Sequence, residues 1–233
     1  MLWPWQIISK YLSLKFIYKL SFELDFKKIL SEFEEMEKAI SLPKHWEREH
    51  KGGLSGIALY SHDGNSLSLE KISNTGTIPT EIAKYFPYTV LLIEELKKKF
   101  DCTTNRVRFL KLEKGENINW HYDWDESIAY GNGRVHIPLK INDYCEGSIC
   151  HENYQWKPGE VWYGDFSFPH KVSNLGSNDR IHLVVDLNNP KKLFEDHDQF
   201  EKEELKRKKF KKLVRYTYKL THYYPNRYIL FNG

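Results

Sequence analysis

The order of apolar and polar residues in the first hundred positions predicts a strand followed by a helix. Tyr18–Leu24 alternates between apolar and polar residues, which is typical of a half-buried strand. Asp25 can cap a helix that starts at Phe26 and runs to about Ile40. Four apolar side chains share one face of this predicted helix: Ile29, Leu30, Phe33 and Met36.

A second strand and a second helical region are predicted before residue 101. Gly52-Gly53 opens the apolar run Leu54–Ser61, and the turn residues His62–Asn65 end it. The stretch Pro79–Phe100 is predicted to be helical with a break at Pro87. We expect these N-terminal strands and helices, residues 1–100, to pack on a core formed further along the chain.

From residue 101 the pattern changes to short strands separated by turn residues, which is typical of a sandwich or barrel. The predicted strands are Arg106–Leu112, Asn117–Tyr122, Arg134–Ile141, Ser148–Tyr154, Glu160–Tyr163, His170–Asn174 and Arg180–Leu187. After Pro190 the chain is predicted to be helical and highly charged. We therefore expect a single domain, with its β core over residues 101–189 and a basic helical extension over residues 190–233.

The net charge of +3 is unevenly distributed. Residues 191–233 contain 12 Lys or Arg against 6 Asp or Glu, a net charge of +6, so the remainder carries −3. A strand region without excess basic charge argues against nucleic-acid binding at its site. We expect the basic helix over Lys206–Tyr216 to dock a short apolar stripe on the core, whereas contact with an acidic membrane or a polyanion is the alternative. The stripe comprises Phe210, Leu213, Val214 and Thr217.

The cysteines and the N-terminus favour a cytoplasmic protein. Three cysteines without a Cys-x-x-Cys motif fit a reducing compartment better than a disulfide framework. The apolar segment Met1–Leu20 is interrupted by three lysines and lacks the features of a signal peptide. We expect it to pack on the domain, with an interfacial helix as the alternative.

Two histidines and an aspartate form the most informative pattern in the chain. His121 and Asp123 lie two residues apart in a predicted strand, so their side chains point to the same face. A distant strand can supply His170. Two imidazoles and one carboxylate on one face of an iron are the ligands of non-haem Fe(II) oxygenases. In the alternative interpretation, His121 is a half-buried strand histidine and Asp123 is a turn residue.

Arg180 lies ten residues after His170, in an otherwise apolar strand. A planar, permanently charged guanidinium is suited to hold a carboxylate. A 2-oxoacid that chelates the iron would direct its far carboxylate towards such a group. A metal pocket between two sheets in turn favours a double-stranded β-helix, a jelly-roll or cupin-like fold that is mainly β with flanking helices.

Other polar residues compete for these roles. His151 is a rival to His170, but no arginine follows it at a suitable spacing. Asp125 is a rival to Asp123, but it lies further from His121 along a regular strand. His182 shares a strand face with Arg180, and we expect it to support the site rather than to act as a fourth ligand.

The stretch from Gly52 to Asn189 resembles the aspartyl/asparaginyl β-hydroxylase family, which includes related free-proline hydroxylases. The matching pieces are Gly52–Leu59, His121–Asp123, Arg134–Leu139, Pro158–Trp162, His170–Asn174 and Arg180–Asp186. The resemblance implies a double-stranded β-helix that uses Fe(II), 2-oxoglutarate and O2. It also implies that His121, Asp123 and His170 bind iron, and that Arg180 binds the distal carboxylate of 2-oxoglutarate.

The resemblance gives Arg134 and His136 a place near the carboxylate beside the keto group of 2-oxoglutarate. On a regular strand these two residues also share a face. They are therefore expected to steer the chelating end of the cosubstrate, and the alternative is that they pair with acidic side chains in a buried network. Some members that act on proteins have glycine in place of the carboxylate ligand, whereas this chain has Asp123. This difference favours a small-molecule or carrier-bound substrate.

Three functional classes remain in competition at the level of the sequence. The first is a hydroxylase acting on an unactivated C–H bond of an amino acid, a peptidyl side chain or a small biosynthetic intermediate. The second is a cupin-like enzyme that uses Zn or Mn and has no need for Arg180. The third is a non-catalytic binding module on the same fold, which would have no need to keep the three ligands.

Overall fold

A computed structural model of the protein describes residues 2–43, 53–68, 76–195 and 197–223. Its helices are α1 (Pro4–Tyr11), α2 (Phe26–Ala39), α3 (Pro87–Phe100) and α4 (His197–Tyr218). Its strands are β1 (Ile17–Lys19), β2 (Leu54–Ser61), β3 (Ile78–Pro79), β4 (Thr103–Leu112), β5 (Asn117–His121), β6 (Asn132–Lys140), β7 (Cys145–Ile149), β8 (Glu152–Tyr154), β9 (Trp162–Gly164), β10 (His170–Asn174) and β11 (Arg180–Asn188). Short 3-10 helices span Glu81–Tyr85 and Ile128–Tyr130, and a π-helical turn spans Lys219–Tyr223.

The strands form two antiparallel sheets. The larger sheet has the order β1-β9-β6-β11-β4-β2-β3, and the smaller one has the order β5-β10-β7-β8. Two such sheets with helices around them make the mainly-β jelly roll that the sequence predicted. Because β1, β2 and β3 belong to the larger sheet, these strands of the first hundred residues extend the β core itself.

The alternation of residues along β11 explains why the larger sheet has one apolar face and one polar face. Ile181, Leu183, Val185 and Leu187 belong to a core cluster that α2 and α3 cover. The intervening side chains, Arg180, His182 and Asp186 among them, are buried on the other face. The polar face of this sheet therefore supplies the groups of the candidate site.

The predicted start of α2 is confirmed, whereas one predicted strand is wrong. Asp25 caps α2 as expected, and its side chain accepts hydrogen bonds from the backbone amides of Lys27 and Lys28. The predicted single strand Ser148–Tyr154 is wrong, because the chain reverses at Cys150, which has a positive φ of 50°. The two halves pair with each other as β7 and β8. Gly52, which was expected to open β2, lies outside the described residues.

Helix α4 docks on the core through part of the predicted stripe, Phe210 and Val214, and through residues outside it. Val214 and Tyr218 are buried in a second core cluster with Trp5 of α1. Arg207 is also buried, and its guanidinium pairs with Asp165 at 3.2 Å. Leu213 of the predicted stripe is exposed instead. The apolar pattern missed Arg207 as a member of the buried face, because an ion pair allows an arginine to occupy such a position.

No helix within the described ranges is both long enough and apolar enough to cross a bilayer.

Candidate active site

Adjacent strands of the smaller sheet bring two histidines and an aspartate together. β5 ends at His121 and β10 begins at His170, and the antiparallel register places these two residues opposite each other. Asp123 follows His121 at the end of the strand. One ligand atom from each of the three side chains lies within 4.8 Å of the other two. The ring centroids of the histidines are 4.1 Å apart.

Backbone carbonyl groups fix the tautomer of both histidines. Nδ1 of His121 lies 2.8 Å from the carbonyl oxygen of Asn119, and Nδ1 of His170 lies 3.0 Å from that of Phe168. A carbonyl oxygen only accepts hydrogen bonds, so each Nδ1 carries the hydrogen and each Nε2 carries the lone pair. This is the arrangement in which a histidine binds a metal through Nε2.

Burial and the neighbouring charges keep His170 and Asp123 in their ligand forms. Burial lowers the pKa of His170 to about 3, with a further contribution from His121, so the imidazole is neutral. Burial alone would raise the pKa of Asp123, but Arg134 and the nearby histidines outweigh it and hold the pKa well below its usual range. A neutral imidazole and an ionised carboxylate are the forms that coordinate a divalent metal.

Arg134 joins Asp123 to a buried ion-pair network. Its guanidinium donates hydrogen bonds to Asp123 and to Asp186, with Nε at 2.7 Å from Oδ1, and it forms an ion pair with Glu126 at 2.8 Å. Arg106 pairs with Asp186 and with Glu126 as well. This is the buried network that the sequence left open as the alternative role for Arg134. Its role towards 2-oxoglutarate remains a prediction.

Arg180 has a different environment from that of Arg134. Its side chain is buried, with the residue only 5% exposed, and its Nη2 donates a hydrogen bond to Nδ1 of His182 at 3.1 Å. Within the described part of the chain, no carboxylate pairs with it. A buried guanidinium without a counter-ion is unfavourable unless a ligand supplies the negative charge.

Arg180 and His182 line a cavity between the two sheets. Residues from β7, β8, β10 and β11 contribute to its wall. Val172, one inward-facing position after His170 on β10, lies on this wall. Two residues of a strand span roughly 6.6 Å, so the cavity begins close to the metal-ligand cluster.

Three buried polar atoms in or beside this cavity have no hydrogen-bond partner among the described residues. His182 accepts from Arg180 through Nδ1, so its hydrogen is on Nε2. This Nε2 is buried without a hydrogen-bond partner among the described residues, as are Nε2 of His136 and Nε1 of Trp156. Buried polar groups are normally satisfied, so these atoms indicate space for a polar ligand. His136 lies within 3.3 Å of His182 through their Nδ1 atoms.

The hairpin β7–β8 shapes the far wall of the cavity. Tyr154 stacks on Trp156 with ring centroids 4.0 Å apart, and its ring lies across the backbone of Gly147. A Cβ atom at Gly147 would approach Tyr154 to 2.1 Å, so only glycine allows this packing.

The structure separates the rival residues from the cluster. His151 forms a hydrogen bond through Nδ1 with the hydroxyl of Ser9 of α1, at 2.9 Å. Asp125 is not a member of the cluster formed by His121, Asp123 and His170. The sequence did not identify Arg106, Glu126 or Asp186 as parts of the site. Alternation on β4 and β11 is a signal that could have placed Arg106 and Asp186 on the polar face, but nothing in the sequence pairs them with Glu126.

The profile of the aspartyl/asparaginyl β-hydroxylase family matches residues 23–190. The chain therefore belongs to this family. The predicted family and fold class are confirmed, and the predicted enzyme class, a hydroxylase that uses Fe(II), 2-oxoglutarate and O2, agrees with this membership.

A curated relative and two solved structures are similar to the chain. An L-proline cis-4-hydroxylase of Rhizobium meliloti (strain 1021) is 27% identical over 118 residues, which cover 49% of this chain and 40% of that protein. The match thus spans less than half of that relative.

A 2OG-Fe(II) oxygenase family protein of Burkholderia pseudomallei has a TM-score of 0.51 at 13% identity, with 80% of this chain and 90% of that one covered. The α-ketoglutarate-dependent carbocyclase SnoK has a TM-score of 0.53 at 8% identity, with 82% and 88% covered. At these identities, the two structures support the fold.

Proposed function

We propose that the protein is an Fe(II)- and 2-oxoglutarate-dependent dioxygenase that hydroxylates an unactivated C–H bond of a small amino-acid substrate. The observation that carries this proposal is Arg180. It is a buried cation without a carboxylate partner in the described chain, and it lines a cavity that begins beside two histidines and an aspartate. A zinc or manganese hydrolase would have no use for such a group.

The residues of the site fit the cofactor and the cosubstrate. His121, Asp123 and His170 would hold Fe(II) through two Nε2 atoms and one carboxylate oxygen, which leaves other positions of the metal open. Iron bound together with 2-oxoglutarate and O2 supplies the oxidative decarboxylation that makes C–H hydroxylation possible. The role of the protein is to hold these groups in place.

Each polar residue then has a defined task. Arg180 pairs with the distal carboxylate of 2-oxoglutarate, and His182 directs its Nε2 hydrogen into the same cavity. Arg134 fixes the orientation of Asp123 through the buried network. His136, next to His182, supplies a further polar group near the chelating end of the cosubstrate.

The substrate class follows from the relatives and from Asp123. The similar L-proline cis-4-hydroxylase makes free proline the first substrate to test, followed by other amino acids, peptidyl side chains and small biosynthetic intermediates. Asp123 occupies the position that a halogenase would leave open for a halide ion. Hydroxylation is therefore the reaction proposed.

The test is anaerobic addition of Fe(II) and 2-oxoglutarate to the purified protein, followed by a screen of amino acids with O2 and detection of succinate. We expect a visible charge-transfer band and substrate-dependent succinate formation. His170→Ala should abolish both, whereas the matched variant His151→Ala, which changes the rival histidine in the turn between β7 and β8, should retain both. A fully active His170→Ala protein would contradict the assignment of the three ligands.

A further inference from the structure

The two terminal helices lie side by side on one surface of the molecule. Trp3, at the start of α1, contacts His222 just after α4, and Lys206 of α4 donates to the backbone carbonyl of Ser13 beyond the end of α1. The helices therefore run antiparallel. Both bury a face in the same core cluster, through Trp5 and Val214 respectively. Their opposite faces consequently point to the same side.

This outward face is apolar to an unusual degree for a surface. Eight of the fifteen large hydrophobic side chains that are exposed among the described residues lie on α1, α4 or their ends, although the two helices are a small part of the chain. Those that form the face are 41% to 88% exposed: Trp3, Ile7, Tyr11, Leu205, Leu213 and Tyr216. A gathering of exposed apolar side chains on one side of a molecule is typical of a binding surface.

The same face is strongly basic. Lys202, Lys208, Lys209 and Lys212 are exposed on α4 between the apolar side chains. No carboxylate among the described residues forms an ion pair with any of these four lysines. An apolar stripe flanked by unpaired lysines has the composition of a helix that lies in the interface of an anionic membrane.

We propose that the outward face of α1 and α4 binds the surface of an anionic phospholipid bilayer. The lysines contact the phosphate groups of the lipids, and the apolar side chains enter the boundary between headgroups and acyl chains. Docking of α4 on the core is compatible with this, because docking uses the face of Val214 and Tyr218. This peripheral attachment goes beyond the proposed oxygenase activity and does not depend on it.

Other partners fit the face less well. A second copy of the chain would bring two sets of lysines together, and like charges would repel each other. A nucleic acid would match the lysines but leave Leu205, Leu213 and Tyr216 in water, because phosphate contacts carry its affinity. A membrane satisfies both the charge and the apolar surface.

The test is co-sedimentation of the intact protein with vesicles in about 0.15 M salt. We expect binding to phosphatidylcholine vesicles that contain about 30% phosphatidylglycerol and little binding to vesicles of phosphatidylcholine alone. Lys208→Gln with Lys209→Gln should weaken binding about thirtyfold, which corresponds to ~1 kcal/mol for each charge. Leu213→Ser with Tyr216→Ser should weaken it more than tenfold.

The matched controls change exposed residues elsewhere. Lys98→Gln with Lys140→Gln, and Leu91→Ser on α3, should bind vesicles like the unaltered protein. Several results would overturn the proposal. They are equal binding to neutral vesicles, binding that neither face variant weakens, or dimerisation that Leu213→Ser with Tyr216→Ser abolishes. Absence of binding by the intact chain would also overturn the proposal.

Discussion

Two buried arginines of the site differ in whether the protein itself supplies their negative partners. Arg134 lies among three carboxylates, those of Asp123, Glu126 and Asp186. Arg180 has a neutral histidine as its hydrogen-bond partner and a cavity beside it. Arg134 therefore orients a metal ligand, whereas Arg180 is available to bind an anion from outside the protein.

The first prediction is that Arg180→Ala raises the apparent requirement for 2-oxoglutarate more than tenfold while Fe(II) binding is retained. Loss of one partner of a buried charged pair typically costs about 2–5 kcal/mol, much of it from the carboxylate left unpaired. Titration of succinate formation against 2-oxoglutarate measures the effect. Lys140→Ala, at the exposed end of β6, is the control. Unchanged affinity for 2-oxoglutarate in Arg180→Ala would instead assign the binding of the distal carboxylate to Arg134.

The second prediction concerns Lys211, a buried lysine of α4 whose Nζ has no hydrogen-bond partner in the described structure. It lies over the ring of Tyr130 at 4.1 Å. Burial lowers its pKa to about 8, against the attraction of Asp165. The unfolded chain therefore holds this proton more tightly than the folded protein does. Burial of the charged amine therefore destabilises the folded protein by its full amount below about pH 8. This penalty decreases as the pH rises from about 8 to 10.5, so stability increases over that range.

Lys211→Met should accordingly stabilise the protein at pH 7, by up to about 3 kcal/mol, and the gain should shrink towards pH 10.5. Urea unfolding at several pH values measures this difference. Lys212→Met changes an exposed neighbour and should alter neither stability nor its pH dependence. Parallel pH profiles for Lys211→Met and the unaltered protein would show that the buried amine carries no such penalty.

The sequence was informative about single residues where strand alternation alone fixes their neighbours. His121 and Asp123 share a face because they are two residues apart, and Arg180 and His182 do so for the same reason. The pairing of Arg134 with Glu126 could not be predicted, because it depends on how the segment between β5 and β6 folds back over the sheet. The spacing of residues along the sequence does not predict the conformation of that segment.

At the scale of elements, the hairpin β7–β8 controls the shape of the cavity. We predict that Gly147→Ala lowers the affinity for 2-oxoglutarate and destabilises the fold by about 1–3 kcal/mol, since the new Cβ would displace Tyr154. Denaturant unfolding and 2-oxoglutarate titration measure both effects. The double variant with Tyr154→Ala should lose less stability than the sum of the single variants. Strict additivity would show that the two residues do not contact each other.

This hairpin also shows where prediction of elements fails. Ser148–Tyr154 has the composition of one strand, and the reversal at Cys150 needs a positive φ at a residue that is not glycine. No turn residue marks it in the sequence. By contrast, Asp25 and the spacing of α2 gave its start correctly, because a helix cap is a local interaction.

At the scale of the whole molecule, two core clusters flank the polar site. The first lies between the larger sheet and α2 and α3, and the second holds the smaller sheet against α1 and α4. Tyr218 of α4 donates a hydrogen bond at 2.6 Å to the carbonyl of Trp120, the residue before His121. The C-terminal helix thus supports the strand that carries the metal ligands.

The last prediction follows from that support. A chain truncated after Pro190 should melt about 10 °C lower or aggregate, because burial of side chains such as Val214 and Tyr218 contributes roughly 1.5–3 kcal/mol each and 1 kcal/mol corresponds to about 2–4 °C at this size. Thermal unfolding followed by circular dichroism measures the shift. If the truncated chain does not fold, Tyr218→Phe tests the same support. This variant keeps the packing and loses the hydrogen bond to Trp120, so its melting temperature should fall by about 2–4 °C. A truncated protein with unchanged melting temperature and full activity would instead make residues 190–233 a separate extension with no part in holding β5.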